Sequence, residues 1–332
     1  MSELLVFALA RSHRFGAQVA RALGCELAAH EEREFEDGEH KTRPLVSVRG
    51  RDCYVIHGLW GEPQASANDK LCRLLFFCAA LKQNGAARVT AVAPYLCYAR
   101  KDRQTKPRDP VTSRYVAQMF EAAGVDRIVT MDVHNLAAFQ NAFRIESVNL
   151  TARPLFLPHI LARLGGRPLA VVSPDAGGAK RAEALRELLE ERLGAGVPLA
   201  FMEKKRSAGV VTGEAVVGEV EGRIAVVVDD LVSSGTTLLR AAGALRRAGA
   251  REVWAAVTHG LFQSPEVLEA AQLELFLVTD TVPPFRLPER LVQERLTCVA
   301  AGAMFAEAIR RLHEGGALTE LLRAGPGPAY AV

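Results

Sequence analysis

The sequence lacks several patterns that mark common protein classes. It has no Cys-x-x-Cys pair and no Gly-Lys-Ser/Thr run, so it contains no Walker-type phosphate loop. No run of about 18 apolar residues is present, and we therefore expect no membrane partner. Most of the cysteines lie in apolar runs, which predicts reduced thiols in the core. The cysteines are Cys25, Cys53, Cys72, Cys78, Cys97 and Cys298.

The sequence also has little excess of charge of either sign. Its 41 basic and 38 acidic residues give a net charge of +3, so we do not expect nucleic acid as a partner. Local basic clusters can still bind small anions. The opening segment MSELLVFALA has no basic segment before it, and we interpret it as a first strand and not as a signal peptide. The reduced thiols predicted above fit a cytoplasmic protein, which we therefore expect.

Short apolar runs alternate with helical patterns along almost the whole chain. The runs are hydrophobic throughout and do not alternate with polar residues, which predicts parallel strands buried on both faces and an α/β fold. The helical pattern NDKLCRLLFFCAALKQ places its apolar residues on one face. The predicted strands are 4–10, 53–59, 88–96, 127–133, 169–175, 199–204, 223–230, 252–260 and 273–280. At 332 residues the chain suits two domains, and RIESVNLTARPLFLP interrupts the strand pattern near 149–158.

The segment AVVVDDLVSSGTTLLRAA is the most informative one. Asp229 and Asp230 end a predicted strand, and a small, hydroxyl-rich loop then leads into a helix. Backbone N–H groups at such a helix start can hold phosphate, while carboxylates suit sugar hydroxyls or a metal ion. The bland alternative is a capped helix start after a turn. The functional interpretation is a sugar phosphate site, with loop residues Ser233, Ser234, Gly235, Thr236 and Thr237.

Other polar segments follow predicted strands, where doubly wound sheets bind their ligands. SPDAGGAKRAEAL places Asp175 at a strand end before a basic helix start, which favours a metal carboxylate near phosphate. MDVHN places His134 at another strand end, although a lone histidine is often structural. The six basic residues from Arg100 to Arg114 indicate either a solvated loop or a mobile cationic flap for a polyphosphate.

Five ordered motifs closely resemble the ribose-phosphate pyrophosphokinase family, from about residue 6 to residue 322. Three of them are the loop at 229–237, the basic segment at 100–114, and the strand ends at His134 and Asp175. The loop also resembles that of type I phosphoribosyltransferases. REFEDGE resembles the adenine-binding loop of the family, and MEKKRSAG resembles its catalytic loop. Two loop positions depart from the common form, because Ser233 stands where Asp or Thr is frequent and Thr236 where Gly or Ala is usual.

The resemblance implies two similar domains of the type I phosphoribosyltransferase-like fold, each a mainly parallel sheet flanked by helices. Residues 1–152 would carry the ATP loop and the flap, joined by a C-terminal helix over 302–322, and residues 153–301 would carry the ribose 5-phosphate and catalytic loops. The implied reaction is Mg²⁺-dependent transfer of the β,γ-pyrophosphoryl group of ATP to the anomeric hydroxyl of ribose 5-phosphate. The products are phosphoribosyl pyrophosphate and AMP.

The resemblance also implies a role for each matched residue. Lys204 and Arg206 would be catalytic, and His134 and Asp175 would meet the metal. Asp229, Asp230 and residues 233–237 would bind ribose 5-phosphate. The residues that would bind ATP are Phe35, Asp37, Glu39, Arg100, Lys101, Asp102 and His134.

Family members are homo-oligomers built from dimers, in some cases hexamers, and the adenine loop reaches the neighbouring subunit. Regulation by phosphate and ADP is expected to be weak, because Thr105, Arg144 and Gly302 depart from the regulated pattern, although SVRG at 47–50 matches it. Three alternatives remain open: an inactive regulatory homologue, a phosphoribosyltransferase, and a kinase acting on a related pentose phosphate.

Overall fold

The computed structural model describes residues 3–207, 210–270 and 272–327, with only the backbone of 204–207 and 210–214. The strands are β1 Leu4–Ala8, β2 His30–Glu34, β3 His40–Pro44, β4 Asp52–Ile56, β5 Arg88–Ala93, β6 Arg127–Met131, β7 Glu146–Leu150, β8 Leu169–Ser173, β9 Leu199–Ser207, β10 Val210–Val217, β11 Ile224–Val232, β12 Glu252–Gly260, β13 Leu275–Thr279 and β14 Thr297–Val299. The helices are α1 His13–Leu23, α2 Ala67–Gln83, α3 Thr112–Ala122, α4 Leu136–Ala142, α5 Arg153–Leu164, α6 Ala179–Leu193, α7 Thr236–Arg247, α8 Glu266–Glu269, α9 Glu289–Arg295, α10 Gly302–Glu314 and α11 Thr319–Ala324.

The chain divides into two compact units, each built around one main sheet. Unit 1 comprises Met1–Thr151 and Ala301–Val332, and unit 2 comprises Ala152–Ala300. The sheet of unit 1 has the order β1-β4-β5-β6-β7, and its strands pair in parallel. Every residue of β4 and β6 is buried, which agrees with strands covered on both faces by helices. The predicted α/β class with parallel sheets is therefore confirmed.

Unit 2 has the strand order β10-β9-β8-β11-β12-β13-β14. Neighbouring strands in this order pair in parallel, except that β10 pairs with β9 in the antiparallel direction. The hydrophobic face of α7 packs on this sheet through buried residues such as Leu238 and Leu245. Because β8 and β11 pair in parallel, their carboxyl ends lie next to each other on the same side of the sheet.

Helix α2 shows how a local pattern fixes an element. Ser66 accepts a hydrogen bond from the backbone N–H of Asp69, and the Asp69 carboxylate accepts one from the backbone N–H of Ser66. This capping box begins the helix one residue before the predicted pattern. The predicted apolar face is confirmed, because its members are all buried: Leu71, Leu74, Leu75, Cys78 and Leu81.

The segment predicted as a break in the strand pattern contains regular structure. Strand β7 ends at Leu150, and α5 begins at Arg153, with Pro154 in its first turn and Pro158 inside it. A proline in the first helical turn removes no hydrogen bond, so it favours this helix start. Both prolines therefore lie within α5, directly after the strand pattern is interrupted.

Candidate active site

The predicted sugar phosphate residues lie at the carboxyl end of β11. Asp229 is paired with Val257 of β12, and the strand continues to Val232 before the loop. Two backbone hydrogen bonds hold this end of the strand and the loop, because Leu261 N–H donates to Val232 O at 2.8 Å and Gln263 N–H donates to Ser233 O at 2.9 Å. The loop is thereby tied to the segment that follows the neighbouring strand.

The loop delivers exposed hydroxyls to a helix N-terminus. Gly235 precedes α7 in the left-handed region at φ 79°, and a Cβ there would lie 2.4 Å from Cβ of Val267. Only glycine fits both the conformation and this close approach. Ser234, Thr236 and Thr237 are exposed around it, and the Ser234 and Thr236 hydroxyls lie 3.0 Å apart. Exposed hydroxyls and free helical N–H groups are the donors that a phosphate needs.

The two acids before the loop share one arginine. Arg181 Nη1 lies 3.3 Å from Asp229 Oδ1, and Arg181 Nη2 lies 3.0 Å from Asp230 Oδ1. Asp230 is only 5% exposed. Burial and the neighbouring Asp230 carboxylate raise the pKa of Asp229 to about 7, against the opposing effect of Arg181. The pair therefore retains a proton to higher pH than an isolated aspartate does.

Asp175 follows β8, two residues after the strand ends at Ser173, on the side of the unit 2 sheet where β11 ends. Its carboxylate accepts from Gly178 N–H at 3.0 Å, and its carbonyl oxygen accepts from the Ser173 hydroxyl at 2.6 Å. The turn at Ala176–Gly178 then leads into α6, which carries Arg181. The structure thus brings Asp175, the acid pair and the phosphate loop to one edge of unit 2.

The predicted metal ligands belong to different units. His134 is exposed between β6 and α4 in unit 1, whereas Asp175 lies in unit 2. Within the described ranges, no three His, Cys, Asp or Glu side chains form a group able to hold a metal ion. A cation at either position would need ligands from elsewhere, such as phosphate oxygens.

The basic flap lies between β5 and α3 in unit 1 and has irregular structure. Arg100 and Lys101 are exposed, and Asp102 accepts a hydrogen bond of 2.7 Å from the side-chain amide of Asn135. Lys101 N–H donates to Tyr98 O at 2.8 Å. Tyr98 has φ 59°, an uncommon value for a residue with a side chain, and such values occur often at binding sites.

The predicted adenine residues lie in the turn of the β2–β3 hairpin. Phe35 N–H donates to Glu39 O at 2.8 Å, and Glu39 N–H donates to Asp37 Oδ1 at 3.0 Å. Phe35 is 39% exposed, with the Arg33 guanidinium 5.0 Å from its ring centroid. The three predicted side chains therefore share one exposed turn.

The predicted catalytic residues lie in β9, which extends to Ser207 and not only to residue 204. The backbone of Lys204 pairs with Glu214 and that of Arg206 with Val211 in β10. Their side chains, and all of residues 208–209, lie outside the described part of the chain. The segment predicted as a loop is thus partly a strand pair.

Two residues in these contacts were not selected from the sequence. Arg181 was noticed only as part of a basic helix start, because its two partners lie 48 and 49 positions along the chain. Asn135 precedes α4 and its side chain accepts from Ala138 N–H at 3.1 Å. The N-cap preference for asparagine could have identified Asn135, but not its bond to Asp102.

Comparisons with known proteins agree with this arrangement. Residues 4–124 match the N-terminal domain of ribose phosphate pyrophosphokinase, and residues 195–323 match the phosphoribosyl synthetase-associated domain. The chain is 36% identical over 323 residues to a ribose-phosphate pyrophosphokinase of Caldanaerobacter subterraneus, covering 96% of this chain and 98% of the relative. It is 34% identical over 330 residues to ribose-phosphate pyrophosphokinase 1 of Streptococcus pyogenes, covering 98% and 99%.

A solved structure extends the likeness to the fold. The crystal structure of phosphoribosylpyrophosphate synthetase from Mycobacterium smegmatis matches with a TM-score of 0.84 and 33% identity, covering 95% of this chain and 100% of the other. The similarity therefore covers both units and not a single motif. The chain belongs to the ribose-phosphate pyrophosphokinase family.

Proposed function

We propose that this chain transfers a pyrophosphoryl group from ATP to ribose 5-phosphate. The anomeric oxygen bonds to the β-phosphorus of ATP, and the bond from that phosphorus to the α,β-bridging oxygen breaks. AMP leaves with the bridging oxygen, and the hydroxyl proton passes to solvent. The products are phosphoribosyl pyrophosphate and AMP. The carrying observation is the acid pair that stands directly before an open, hydroxyl-rich helix start at the end of β11.

Each part of that edge suits one end of ribose 5-phosphate. Asp229 and Asp230 accept hydrogen bonds from the ribose hydroxyls, since a carboxylate is an acceptor. Residues 233–237 bind the 5-phosphate through hydroxyls and the N-terminal N–H groups of α7, a helix of 12 residues. Neither contact uses the anomeric oxygen, which therefore stays free to attack the β-phosphorus of ATP.

The nucleotide contacts come from unit 1 and from β9. The hairpin turn of Phe35, Asp37 and Glu39 binds adenine, while the flap residues Arg100, Lys101 and Asp102, together with His134, engage the triphosphate. Lys204 and Arg206 stabilise the charge that spreads over the transferred group, because phosphoryl transfer depends on positioning and charge neutralisation.

Mg²⁺ is the metal that these residues suit. Mg²⁺ is commonly held by one or two carboxylates together with substrate phosphates, and it needs no complete protein cage. The described residues offer single oxygen or imidazole donors, Asp175 and His134, and no cluster of three. When bound at either position, Mg²⁺ would neutralise phosphate charge, with Asp175 or His134 as its protein ligand.

The test measures both products. Purified protein is incubated with ATP, Mg²⁺ and ribose 5-phosphate, and AMP and phosphoribosyl pyrophosphate are quantified. We expect equal amounts from the parent and none from Lys204→Ala. Lys82→Ala, which removes a lysine paired with Asp126 at 2.9 Å, is the matched control and should stay active. Absence of AMP from a folded, ATP-binding parent would instead favour a regulatory homologue or a related pentose phosphate, and pyrophosphate release without ATP would favour a phosphoribosyltransferase.

The assembly and location follow from the same proposal. We expect a cytoplasmic homo-oligomer built from dimers, in which the exposed hairpin turn reaches the nucleotide of a neighbouring subunit. The helices within 3–207, 210–270 and 272–327 do not include one with the length and hydrophobicity of a membrane span. All six cysteines are free thiols, and Cys53, Cys78 and Cys97 are buried, although Cys25 and Cys298 are exposed. Light scattering of the purified protein tests the oligomer.

Weak regulation by phosphate is part of the proposal. A Cβ at Gly302 would lie 2.9 Å from Cβ of Gln18, so a serine at this position needs a shift of that side chain. Thr105 donates to Asp109 at 2.7 Å, and the Arg144 guanidinium donates to the carbonyl oxygen of Asn141 at 3.0 Å. A steady-state assay with and without inorganic phosphate tests this, and a large phosphate requirement would refute it.

A further inference from the structure

Arg181 joins two loops of the site in unit 2. It lies in the first turn of α6, immediately after the Asp175 turn, and its guanidinium reaches the acids at the end of β11. The arginine side chain is 15% exposed, so the contact is largely shielded from water. A planar guanidinium with two forward nitrogens can contact two adjacent carboxylates at once, which a lysine ammonium cannot do in the same way.

The acid pair needs such a partner to remain a pair of acceptors. Two neighbouring carboxylates in a buried position repel each other, and the pair responds by retaining a proton. Burial and Asp230 raise the pKa of Asp229, and Arg181 acts in the opposite direction. A protonated carboxyl donates where an ionised one accepts, so it is a poorer partner for a sugar hydroxyl.

Described groups from the neighbouring elements show how Arg181 relates to the acid pair. Among the charged groups, Arg181 on α6 and Asp230 on β11 act most strongly on Asp229. On β12, His259 stands level with Leu231, and its Nδ1 lies 2.8 Å from the Thr281 hydroxyl. Beyond β8, the Asp175 carboxylate accepts from Gly178 N–H. Among the side chains that the structure describes, Arg181 thus contacts both acids with its guanidinium.

We propose that Arg181 is a positioning residue for the sugar phosphate: its guanidinium holds the Asp229 and Asp230 carboxylates side by side as acceptors for two vicinal hydroxyls. The inference rests on the proposed function, because the ligand is ribose 5-phosphate. Arg181 acts through the two acids and determines how tightly the sugar binds.

The test separates the two substrates. Arg181→Gln keeps a hydrogen-bonding side chain without charge, and we expect KM for ribose 5-phosphate to rise about 30-fold while KM for ATP changes by less than about twofold. Arg181→Lys keeps a positive charge without the planar guanidinium, and we expect it to raise KM for ribose 5-phosphate only about fivefold over the parent. Arg186→Gln is the matched control, because Arg186 lies on the same helix and pairs with Glu190 at 3.0 Å. It should behave as the parent.

The pH profile adds a readout that a purely structural role would not move. In Arg181→Gln, the acid limb of KM for ribose 5-phosphate should shift upward by about one pH unit, because the pair retains its proton more strongly. Asp229→Asn removes the repulsion between the two carboxylates. It should therefore raise KM for ribose 5-phosphate less in the Arg181→Gln background than in the parent. This second comparison also applies if Arg181→Gln folds poorly, since the double variant should then recover stability.

Several results would overturn the inference. An unchanged KM for ribose 5-phosphate in folded Arg181→Gln would do so, and so would an equal rise for ATP or an additive double variant. If the parent forms no product, the proposed function fails, and calorimetry with ribose 5-phosphate alone then decides about Arg181. Parent binding that Arg181→Gln weakens would support the positioning role, and equal binding, or none by the parent, would reject it.

Discussion

The loops that follow β4 in unit 1 and β11 in unit 2 occupy the same place in two similar strand orders but have opposite contents. After β11 stand an acid pair and exposed hydroxyls. After β4 the corresponding loop is filled: Trp60 is 3% exposed, and the fully buried Lys70 ammonium lies 3.9 Å from its ring centroid. A Cβ at Gly58 would lie 1.7 Å from that ring. One sheet edge is therefore an open site and the other is closed by packing.

The difference shows that the strand order provides a position where a ligand can bind, and that the residues of the loop determine whether a ligand binds there. In unit 1, Lys70 Nζ lies 3.0 Å from Glu62 Oε1, so the buried ammonium is neutralised within the loop. His57 is also buried, and burial together with Lys70 lowers its pKa to about 3. The loop thus carries an internal ion pair and a buried aromatic ring, and it has no acid pair that could accept from a sugar.

Removing the ring that closes the unit 1 loop should have the largest effect. Trp60→Ala opens a cavity and takes the aromatic face away from Lys70, so we expect a loss of about 3–5 kcal/mol in the free energy of unfolding. Urea denaturation measures it. Trp60→Phe keeps a ring and should lose less than half as much. We expect no second ribose 5-phosphate site by calorimetry, and its appearance would contradict the contrast.

The opposite ends of the same strands also differ. Asp52 begins β4 and is fully buried, with its carboxylate accepting from Arg88 Nε at 2.9 Å and contacting His313 Nδ1 of α10 at 2.8 Å. Asp52→Asn should cost about 3 kcal/mol, because it removes the buried carboxylate that Arg88 and His313 both contact. The corresponding first residue of β11 is Ile224, and Ile224→Val should cost only about 1 kcal/mol.

The acid dependence of unfolding checks the same contact. Burial would raise the pKa of Asp52, but the hydrogen bonds from Arg88 and His313 outweigh it and lower that pKa below the ordinary 3.8. The ionised carboxylate therefore stabilises the fold above pH 3.8, and this contribution is lost as the pH falls below that value. Asp52→Asn should lack this part of the acid transition, and an unchanged transition would count against the assignment.

The apolar strands could be predicted from sequence, whereas the polar ones could not. Strand β12 has the predicted bounds, because it is a continuous apolar run buried on both faces. The hairpin β2–β3 was missed, since HEERE and HKTRP carry no apolar alternation and are stabilised by pairing with each other. Short β14 was also missed, because three residues give no periodicity.

The candidate site shows the same division. The acid pair and its loop were readable because they adjoin in sequence and follow a clear strand. Arg181 was not readable as their partner, since only the parallel pairing of β8 with β11 brings the start of α6 to them. The contact between Trp60 and Lys70 could not be predicted for a similar reason, because the sequence shows only that the loop after β4 lacks an acid pair and a run of hydroxyl residues. Contacts between distant segments need the fold.

Closing the unit 2 loop should make it resemble the unit 1 loop. Gly235→Ala places a Cβ at φ 79° and 2.4 Å from Cβ of Val267, so the loop must shift. We expect KM for ribose 5-phosphate to rise about 30-fold, equal to about 2 kcal/mol. Gly243→Ala is the control inside α7, where a Cβ meets only side-chain ends at 3.4 Å or more, and it should leave KM unchanged. Equal effects of the two variants would reject the loop explanation.

The smallest predicted effect is a pH dependence that unit 2 alone supplies. Because the pKa of Asp229 is raised to about 7, the acid pair gains a proton as the pH falls through that value and loses an acceptor for the sugar. KM for ribose 5-phosphate should rise about fourfold from pH 8 to pH 6.5. His57 in unit 1, with its pKa lowered to about 3, stays neutral over this range and contributes nothing. Asp229→Asn is the control, since the substrate phosphate titrates equally with both proteins. A profile that keeps its slope in this variant would assign the titration to the substrate, whereas a flattened one would assign it to the open loop of unit 2.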